Sequence, residues 1–182
     1  LVNDAVEACG RKGIEAAVLF SSGFKEVGSE GIRLEEELVS TAAQFGVRLC
    51  GPNTIGLINC FDNAFASFTQ YGYGENVTGP VAFISQSGAF GTAIAALARD
   101  RGIGLGYFIS TGNECDLSVP EITHETLEDD RIRVATAYVE GIKNGDDWIV
   151  LAERSLALGK PIVVTKVGRT DAGKRAAASH TG

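Results

Sequence analysis

Hydrophobic positions along the chain alternate between helical and strand-like patterns. A helical repeat over 2–9 precedes a short continuous apolar run at 16–20, and a second helical repeat over 34–45 ends at Gly46 before the apolar run 47–50. Glycine tolerates the left-handed turn that often follows a helix. Helices that alternate with continuously apolar strands predict parallel strands covered on both faces.

The segment 61–79 interrupts this alternation, because it is rich in Asn, Gly, Tyr and Phe and shows no clear period. We therefore predict units at 1–60 and 80–182, joined by a connector over 61–79. In the second unit, helical repeats separate four predicted strands, at 81–84, 105–109, 134–139 and 162–167. The order βαβαβαβ favours a doubly wound, flavodoxin-like domain with a parallel sheet.

Charge, hydropathy and cysteine spacing exclude several classes of protein. The formal net charge of −7 would repel a phosphate backbone, so we expect no nucleic-acid partner. The apolar runs are far shorter than the ~20 residues that span a bilayer, so we expect no membrane association. The four cysteines are widely spaced, without a CxxC pair, and suggest neither a zinc site nor a disulfide framework. We predict reduced thiols and a cytoplasmic location.

Loops that follow strands are the candidate sites, because ligands of open parallel sheets bind beyond the carboxyl ends of the strands. These loops are unusually distinctive here. They are Ser21-Ser22-Gly23-Phe24, Gly51-Pro52-Asn53-Thr54, Ser85-Gln86-Ser87-Gly88, Thr111-Gly112-Asn113-Glu114, Glu140-Gly141 and the tail 168–182.

The loop Ser85-Gln86-Ser87-Gly88 lies between a predicted strand and the start of a predicted helix. Backbone N–H groups and the helix dipole attract an anion at such a turn, and two hydroxyl groups could complete its shell. A second interpretation is that Ser87 only caps the helix. Both interpretations remain open from the sequence, and they are compatible.

Three other catalytic templates fit poorly. The repeat Gly-x-Gly-x-Gly at 102–106 precedes a strand, whereas a dinucleotide fingerprint must follow one. The segment 168–174 matches G-x-x-x-x-G-K, but Arg175 replaces the Ser or Thr that would hold magnesium. Ser87 could occupy a hydrolase nucleophile elbow, but Ser85 stands where the first Gly belongs.

The two histidines lie in contrasting segments. His124 belongs to a polar helical pattern, which favours a solvated side chain. His180 lies in a run of small residues, 176–182, that shows no apolar period and is typical of a loop. Spacing alone leaves a surface histidine possible. A nucleophilic imidazole on such a loop beside a phosphate site would suit covalent phosphoryl transfer.

Four motifs together resemble those of the NDP-forming acyl-CoA synthetases, the superfamily of succinyl-CoA and acetate-CoA ligases. They are Gly51-Pro52-Asn53-Thr54, Ser85-Gln86-Ser87-Gly88, Glu140-Gly141-Ile142-Lys143, and Lys166-x-Gly168-Arg169 through Ser179-His180-Thr181-Gly182. The resemblance covers nearly the whole chain, and its most specific part is Ala-Ala-Ala-Ser-His-Thr-Gly. It is closer to the acetate-type, ADP-forming enzymes, because succinyl-CoA synthetase has Cys in place of Thr54.

The resemblance implies a fold and a reaction. Residues 1–60 would be the C-terminal part of a Rossmann-like CoA-binding domain, and 80–182 a flavodoxin-like ligase domain. Acyl-CoA and phosphate would form an acyl phosphate, whose phosphoryl group passes to His180 and then to a nucleotide site. Glu140 would orient this histidine, since a carboxylate beside imidazole fixes its tautomer. Without the resemblance, Glu140 would be assigned an ordinary surface ion pair.

The resemblance also implies two sets of ligand-binding residues, and it implies no metal ligand in this chain. The predicted phosphate-binding residues are Ser85, Ser87, Gly88 and Ala89. The predicted CoA-binding residues are Ser21, Ser22, Gly23, Pro52, Asn53 and Thr54. Coenzyme A and phosphate are therefore the expected cofactors here, with ATP or ADP and Mg²⁺ bound by an ATP-grasp part.

The family's N-terminal glycine-rich loop, the rest of its histidine loop and its ATP-grasp domain are absent from these residues. We expect a fragment that needs an ATP-grasp domain or β-type subunit, within a homo- or hetero-oligomer, and that acts on an acyl-CoA or carboxylate. One alternative is a regulatory ligase-like domain of a protein lysine acetyltransferase, against which His180 argues. The other is a flavodoxin-like module that binds a phosphate-bearing ligand without covalent chemistry.

Overall fold

The chain folds into helices and strands that alternate along the sequence, in a computed structural model that describes residues 1–72 and 77–168. The helices are α1 (Val2–Arg11), α2 (Ser29–Phe45), α3 (Gly88–Asp100), α4 (Val119–Glu128) and α5 (Gly145–Leu158). The strands are β1 (Ala16–Val18), β2 (Arg48–Cys50), β3 (Gly56–Asn59), β4 (Ala64–Ser67), β5 (Val81–Ser85), β6 (Leu105–Ser110), β7 (Val134–Val139) and β8 (Ile162–Lys166).

The strands form two sheets. β1 and β2 pair in parallel, and the larger sheet has the order β4-β3-β6-β5-β7-β8. Strands β6, β5, β7 and β8 are mutually parallel and follow the spatial order of a flavodoxin-like sheet. The predicted α/β class with a doubly wound parallel sheet is therefore confirmed.

Two further strands, joined to the sheet by antiparallel pairing, were not predicted from the sequence. β3 pairs with β6, and β4 pairs with β3, so the sheet is mixed. β4 lies inside the segment predicted to be an irregular connector, and its residues are mostly exposed. A short exposed strand leaves no apolar period, which explains why the sequence did not indicate it. The limits 1–60, 61–79 and 80–182, and a Rossmann-like origin of the first unit, stay predictions.

Helices cover both faces of the large sheet, and β5 lies at its centre. α3 packs against β5 and β6, whereas α4 packs against β5 and β7 and contacts α5 on the other face. Side chains alternate along the strand, so Phe83 joins one core and Ala82 and Ile84 join the other. From Ala82 to Ser85 the strand is buried, as the continuous apolar run predicts.

Local signals in the sequence explain where the helices begin and end. α2 ends at Gly46, which is left-handed with φ 69°, as predicted. α5 ends in the same way at Gly159, with φ 64°. Serine side chains cap two helices, Ser87 at α3 and Ser118 at α4. In the part of the chain that the structure describes, no helix combines the length and apolar character that crossing a membrane requires.

The two-sided core generates a prediction for Leu127, which is fully buried on α4, in contrast to Leu97, which is 46% exposed on α3. Leu127→Ala should lower the free energy of unfolding by about 2–5 kcal/mol, because it removes buried methyl groups and leaves a cavity. Leu97→Ala, the matched control, should cost less than about 1 kcal/mol. Urea denaturation measures both, and equal losses would contradict this assignment of the core.

Candidate active site

The carboxyl ends of β5, β6 and β7 lie side by side. Ser85 pairs with Ser110 of β6 on one side and with Tyr138 of β7 on the other. The order β6-β5-β7 also places the topological switch point of the sheet between β5 and β7, because the connections from these two strands leave in opposite directions. Ligands of doubly wound sheets bind at such a point, so the loops after β5 and β7 define the candidate site.

The loop after β5 has the geometry of a helix cap. The Ser87 hydroxyl accepts a hydrogen bond from the Phe90 backbone N–H at 3.3 Å, which confirms the capping interpretation. The buried Ser85 hydroxyl donates to the Ser87 carbonyl at 2.7 Å. Gly88 and Ala89 stand in the first turn of α3, where N–H groups and the dipole favour an anion. Phosphate binding by Ser85, Ser87, Gly88 and Ala89 stays a prediction.

A glycine allows α3 to approach β5 closely at this loop. A Cβ at Gly91 would lie 2.9 Å from the Ser85 Cβ and 3.1 Å from the Phe108 ring. Both distances are shorter than ordinary contacts, so any larger residue would push the helix away from the strand. The position of the predicted anion site therefore depends on this glycine.

Gln86 joins the loop after β5 to the loop after β7. Its Oε1 accepts the backbone N–H groups of Glu140 at 2.6 Å and Gly141 at 2.9 Å, and its Nε2 donates to the Gly141 carbonyl at 2.9 Å. The half-buried Glu140 is thereby held next to the turn of Ser85 and Ser87. On the other side, the Lys166 Nζ donates to the Glu140 carbonyl at 2.8 Å. His180 lies outside the described residues.

The loop after β2 meets the loop after β1. The Asn53 backbone N–H donates to the Ser21 carbonyl at 2.8 Å, and Asn53 itself is left-handed with φ 58°. Ser21 and Ser22 are exposed, and Gly23 is half-buried. The structure therefore brings the two predicted CoA-binding segments into contact, and their role in binding CoA stays a prediction.

Two of the predicted CoA-binding residues are buried. Thr54 is 2% exposed. Its hydroxyl donates to the Ser110 carbonyl at 2.5 Å and accepts from the Gly56 N–H at 3.0 Å. Pro52 is also buried, and its carbonyl accepts from the Asn113 N–H at 2.9 Å. Both residues therefore support the shape of the loop, and Asn53 is its half-buried member.

The loop after β6 binds the first part of the chain through Asn113, a residue to which the sequence assigned no role. The Asn113 Nδ2 donates to Glu26 at 2.6 Å and to Glu35 at 2.9 Å. Its carbonyl accepts from Lys25 at 2.6 Å and from Lys143 at 3.0 Å. Burial, together with the charge of Lys143, lowers the pKa of Lys25. The polar composition of this loop was the only feature of the sequence that could have indicated this role of Asn113.

Glu114 is a second residue that the sequence analysis missed, and it is 5% exposed. Its carboxylate accepts from the Thr111 hydroxyl at 2.9 Å and from the Val119 N–H at 3.0 Å. Burial raises the pKa of Glu114, although hydrogen bonds from Gln86 and Thr111 oppose the shift. Lys143 donates to its carbonyl. The loops after β5, β6 and β7 thus form one connected polar network.

The remaining reactive side chains lie outside this network or are poor nucleophiles. Burial raises the pKa of the Cys50 and Cys115 thiols to about 12, so both stay protonated at neutral pH. His124 lies on α4, the helical segment predicted for it, and its Nδ1 is 3.5 Å from the Glu125 Oε1. Within residues 1–72 and 77–168, no group of three or more His, Cys, Asp or Glu side chains could hold a metal ion.

The fold and the site together define a flavodoxin-like α/β domain. The N-terminus of α3 lies on one side of its switch point, and the Glu140 carboxylate lies on the other. Residues 78–182, more than half of the chain, match the family model described as succinyl-CoA ligase like flavodoxin domain. The chain belongs to this family. The resemblance inferred from the four motifs is therefore confirmed at the level of the family.

Known proteins that resemble the chain are longer than it is. The chain is 42% identical over its whole length to acetate–CoA ligase [ADP-forming] I of Archaeoglobus fulgidus, of which it covers 26%. It is 39% identical to the alpha subunit of acetate–CoA ligase [ADP-forming] II of Pyrococcus furiosus, of which it covers 38%.

A solved structure also covers the whole chain. It is the dinucleotide forming acetyl-coenzyme A synthetase 1 of Ca. Korarchaeum cryptofilum in complex with phosphate and ADP, with a TM-score of 0.89 and 40% identity. The chain covers 38% of that protein. Similarity over the full length extends the likeness of fold to residues 1–72, which precede the family match.

Glu114 provides a test of the network. A buried carboxyl group with a raised pKa binds its proton more tightly in the folded state, so its contribution to stability is present below the unfolded pKa of ~4.3 and is lost as pH rises through the folded pKa. Glu114→Gln removes this titration. The free energy of unfolding of the variant, relative to wild type, should therefore rise between pH 4 and 7, by about 1.4 kcal/mol per unit of pKa shift.

Urea denaturation at a series of pH values measures this difference. The exposed Glu153 on α5 supplies the matched control, Glu153→Gln. If the difference from wild type changes with pH to the same extent in both variants, Glu114 is not the group responsible.

Proposed function

We propose that this chain is the α-type core of an NDP-forming acyl-CoA synthetase of the acetate type. The complete enzyme interconverts acyl-CoA, phosphate and ADP with a carboxylate, CoA and ATP. The observation that carries the proposal is the hydrogen-bonded junction between the Ser85–Gly88 loop and the Glu140–Gly141 turn, at the switch point of a sheet in this family.

The names of the similar proteins support the substrates of the proposed reaction. Both curated relatives are named ADP-forming acetate–CoA ligases, and the solved relative is in complex with phosphate and ADP. These names favour a small carboxylate, CoA, phosphate and the ADP/ATP pair. They do not favour a regulatory domain of an acetyltransferase or a module that only binds a phosphate-bearing ligand.

In the proposed reaction, phosphate binds at the start of α3. Ser85, Ser87, Gly88 and Ala89 surround a helix N-terminus, whose dipole favours negative charge. The acyl thioester of CoA lies at the contacting segments of Ser21–Gly23 and Pro52–Thr54. A phosphate oxygen attacks the thioester carbonyl, the carbon–sulfur bond breaks, and the thiolate of CoA leaves. The product is an acyl phosphate at the same edge of the sheet.

The second step transfers the phosphoryl group to His180. An imidazole nitrogen attacks phosphorus, the bond to the acyl oxygen breaks, and the carboxylate leaves. Glu140 accepts a hydrogen bond from the other ring nitrogen, which holds the reactive tautomer and stabilises the positive charge that develops on the ring. The position of Glu140 beside the start of α3 supports this role, since the donor phosphate would lie there.

The complete reaction needs a nucleotide site. The Pyrococcus furiosus relative is named a subunit alpha, which supports an ATP-grasp partner of the β type, as a subunit or a fused domain. ATP or ADP and Mg²⁺ would bind there, in a homo- or hetero-oligomer. We place the reaction in the cytoplasm, in keeping with four free cysteines.

Phosphorylation of His180 tests the proposal in the complete protein. His180→Ala should abolish both the phosphoenzyme and turnover, because the carrier nitrogen is lost. Glu140→Gln keeps the size of the side chain but removes its charge, so the phosphoenzyme should form more slowly. We expect a barrier increase of about 2–4 kcal/mol, or roughly thirty- to nine-hundred-fold in rate.

The measurement is acid-labile, base-stable label after incubation with labelled ATP, or with acyl-CoA and labelled phosphate. His124→Ala is the matched control and should keep full labelling, because His124 lies on α4. Normal labelling and turnover of the His180→Ala protein would rule out the proposed mechanism.

A further inference from the structure

Gln86 is a buried amide whose side chain is hydrogen-bonded to the loop after β7. It is 8% exposed and lies between the two serines of the predicted phosphate loop. Its backbone N–H donates to the Tyr138 carbonyl of β7 at 3.1 Å. A buried amide is costly unless its donors and acceptors are paired, so Gln86 is accommodated only when the loop after β7 lies against it.

The hydrogen bonds of Gln86 fix the backbone on both sides of Glu140. The N–H groups of Glu140 and Gly141 belong to the two peptide units that flank the Glu140 Cα, and Oε1 accepts from both. Each peptide unit is planar. Once both planes are held, the direction of the Cα–Cβ bond of Glu140 is determined. The bond from Nε2 to the Gly141 carbonyl restrains the next peptide unit as well.

Packing contributes little to the position of this turn. Gly141 is exposed, and Ile142 is 53% exposed. A Cβ placed on Gly141 would contact no atom of the described residues within 4 Å. On the side of β8, Lys166 donates to the Glu140 carbonyl through a long, flexible side chain. Within residues 1–72 and 77–168, the bonds from Gln86 connect the turn directly to the start of α3.

Gln86 belongs neither to the predicted phosphate-binding residues nor to the predicted CoA-binding residues. Its Oε1 accepts two hydrogen bonds from backbone N–H groups, and its Nε2 donates to the Gly141 carbonyl. Both polar atoms of its side chain are therefore bonded to the loop after β7. These contacts indicate a contribution to the reaction through Glu140 and Gly141, the residues that it holds.

We propose that Gln86 is a positioning residue, which sets the direction of the Glu140 carboxylate relative to the phosphate bound at the start of α3. This inference rests on the proposed function, because it assigns Gln86 to the step in which Glu140 acts on His180. The link runs from the loop after β5 to the loop after β7, across the switch point of the sheet.

The first test is Gln86→Met in the complete protein, since Met keeps the length of the side chain and removes its hydrogen bonds. The rate of phosphoenzyme formation should fall on the order of 10²-fold, the loss that follows a misplacement of about 1 Å. The KM for CoA should stay within about threefold, because the CoA segments are untouched. Gln44→Met, at an exposed position on α2, is the matched control and should leave the rate unchanged.

A double-mutant cycle separates positioning from a general loss of structure. In the Glu140→Gln background there is no charge left to misplace, so Gln86→Met should cost less than about threefold there. A residue that only stabilises the fold would cost the same factor in both backgrounds. Rapid-quench measurement of phosphoenzyme formation gives all four rates.

Each outcome decides between the two proposals. If Glu140→Gln slows labelling as expected, but Gln86→Met costs the same factor in both backgrounds, the inference on Gln86 is wrong and the proposed function stands. If wild type forms no phosphoenzyme, or Glu140→Gln has no effect, the role of Glu140 fails and the inference fails with it. If circular dichroism shows that the Met variant is unfolded, the same cycle with Gln86→Asn, whose amide is one methylene shorter, decides.

Discussion

The central position of β5 is the constraint on which the rest of the structure depends. It is hydrogen-bonded to β6 on one side and β7 on the other, and it is buried on both faces. Parallel pairing in this register brings the ends of three strands to one level, so their loops must share one edge. Since the connections from β5 and β7 leave in opposite directions, a crevice opens between them. The candidate site therefore follows from the order of the strands.

Polar side chains complete what the strand order begins. Gln86, Asn113 and Glu114 are all buried. The side chains of Gln86 and Asn113 bond to other loops, whereas the Glu114 carboxylate bonds within its own loop and its backbone carbonyl accepts from Lys143. Unpaired polar groups at such depth would be costly, so each loop stabilises the conformation of its neighbours. Asn113 extends this network to Glu26 and Glu35, which links the first part of the chain to the large sheet. A reaction that uses loops from both parts requires such a link.

The proposed chemistry does not require a strongly nucleophilic side chain among the described residues. The Cys50 and Cys115 thiols are poor nucleophiles, because burial raises their pKa. A helix N-terminus for an anion, a carboxylate for an imidazole, and rigid loops between them suffice for phosphoryl transfer, which depends mainly on position and charge. The rigidity comes from short hydrogen bonds across the switch point rather than from packing of the exposed turn at Gly141.

The sequence by itself determined the elements whose cause is local. Continuous apolar runs indicated the parallel strands, Gly46 indicated the end of α2, and Ser87 indicated the start of α3. The motifs with Asn53, Ser87 and Glu140 indicated the family. Only the tertiary structure decided the antiparallel pairing of β3 and β4 and the partners of Gln86 and Asn113. Gln86 and Glu140 are 54 positions apart, and Asn113 and Glu35 are 78 apart. Hydrogen bonds over such separations leave no periodic pattern in the chain, because they depend on which strands become neighbours.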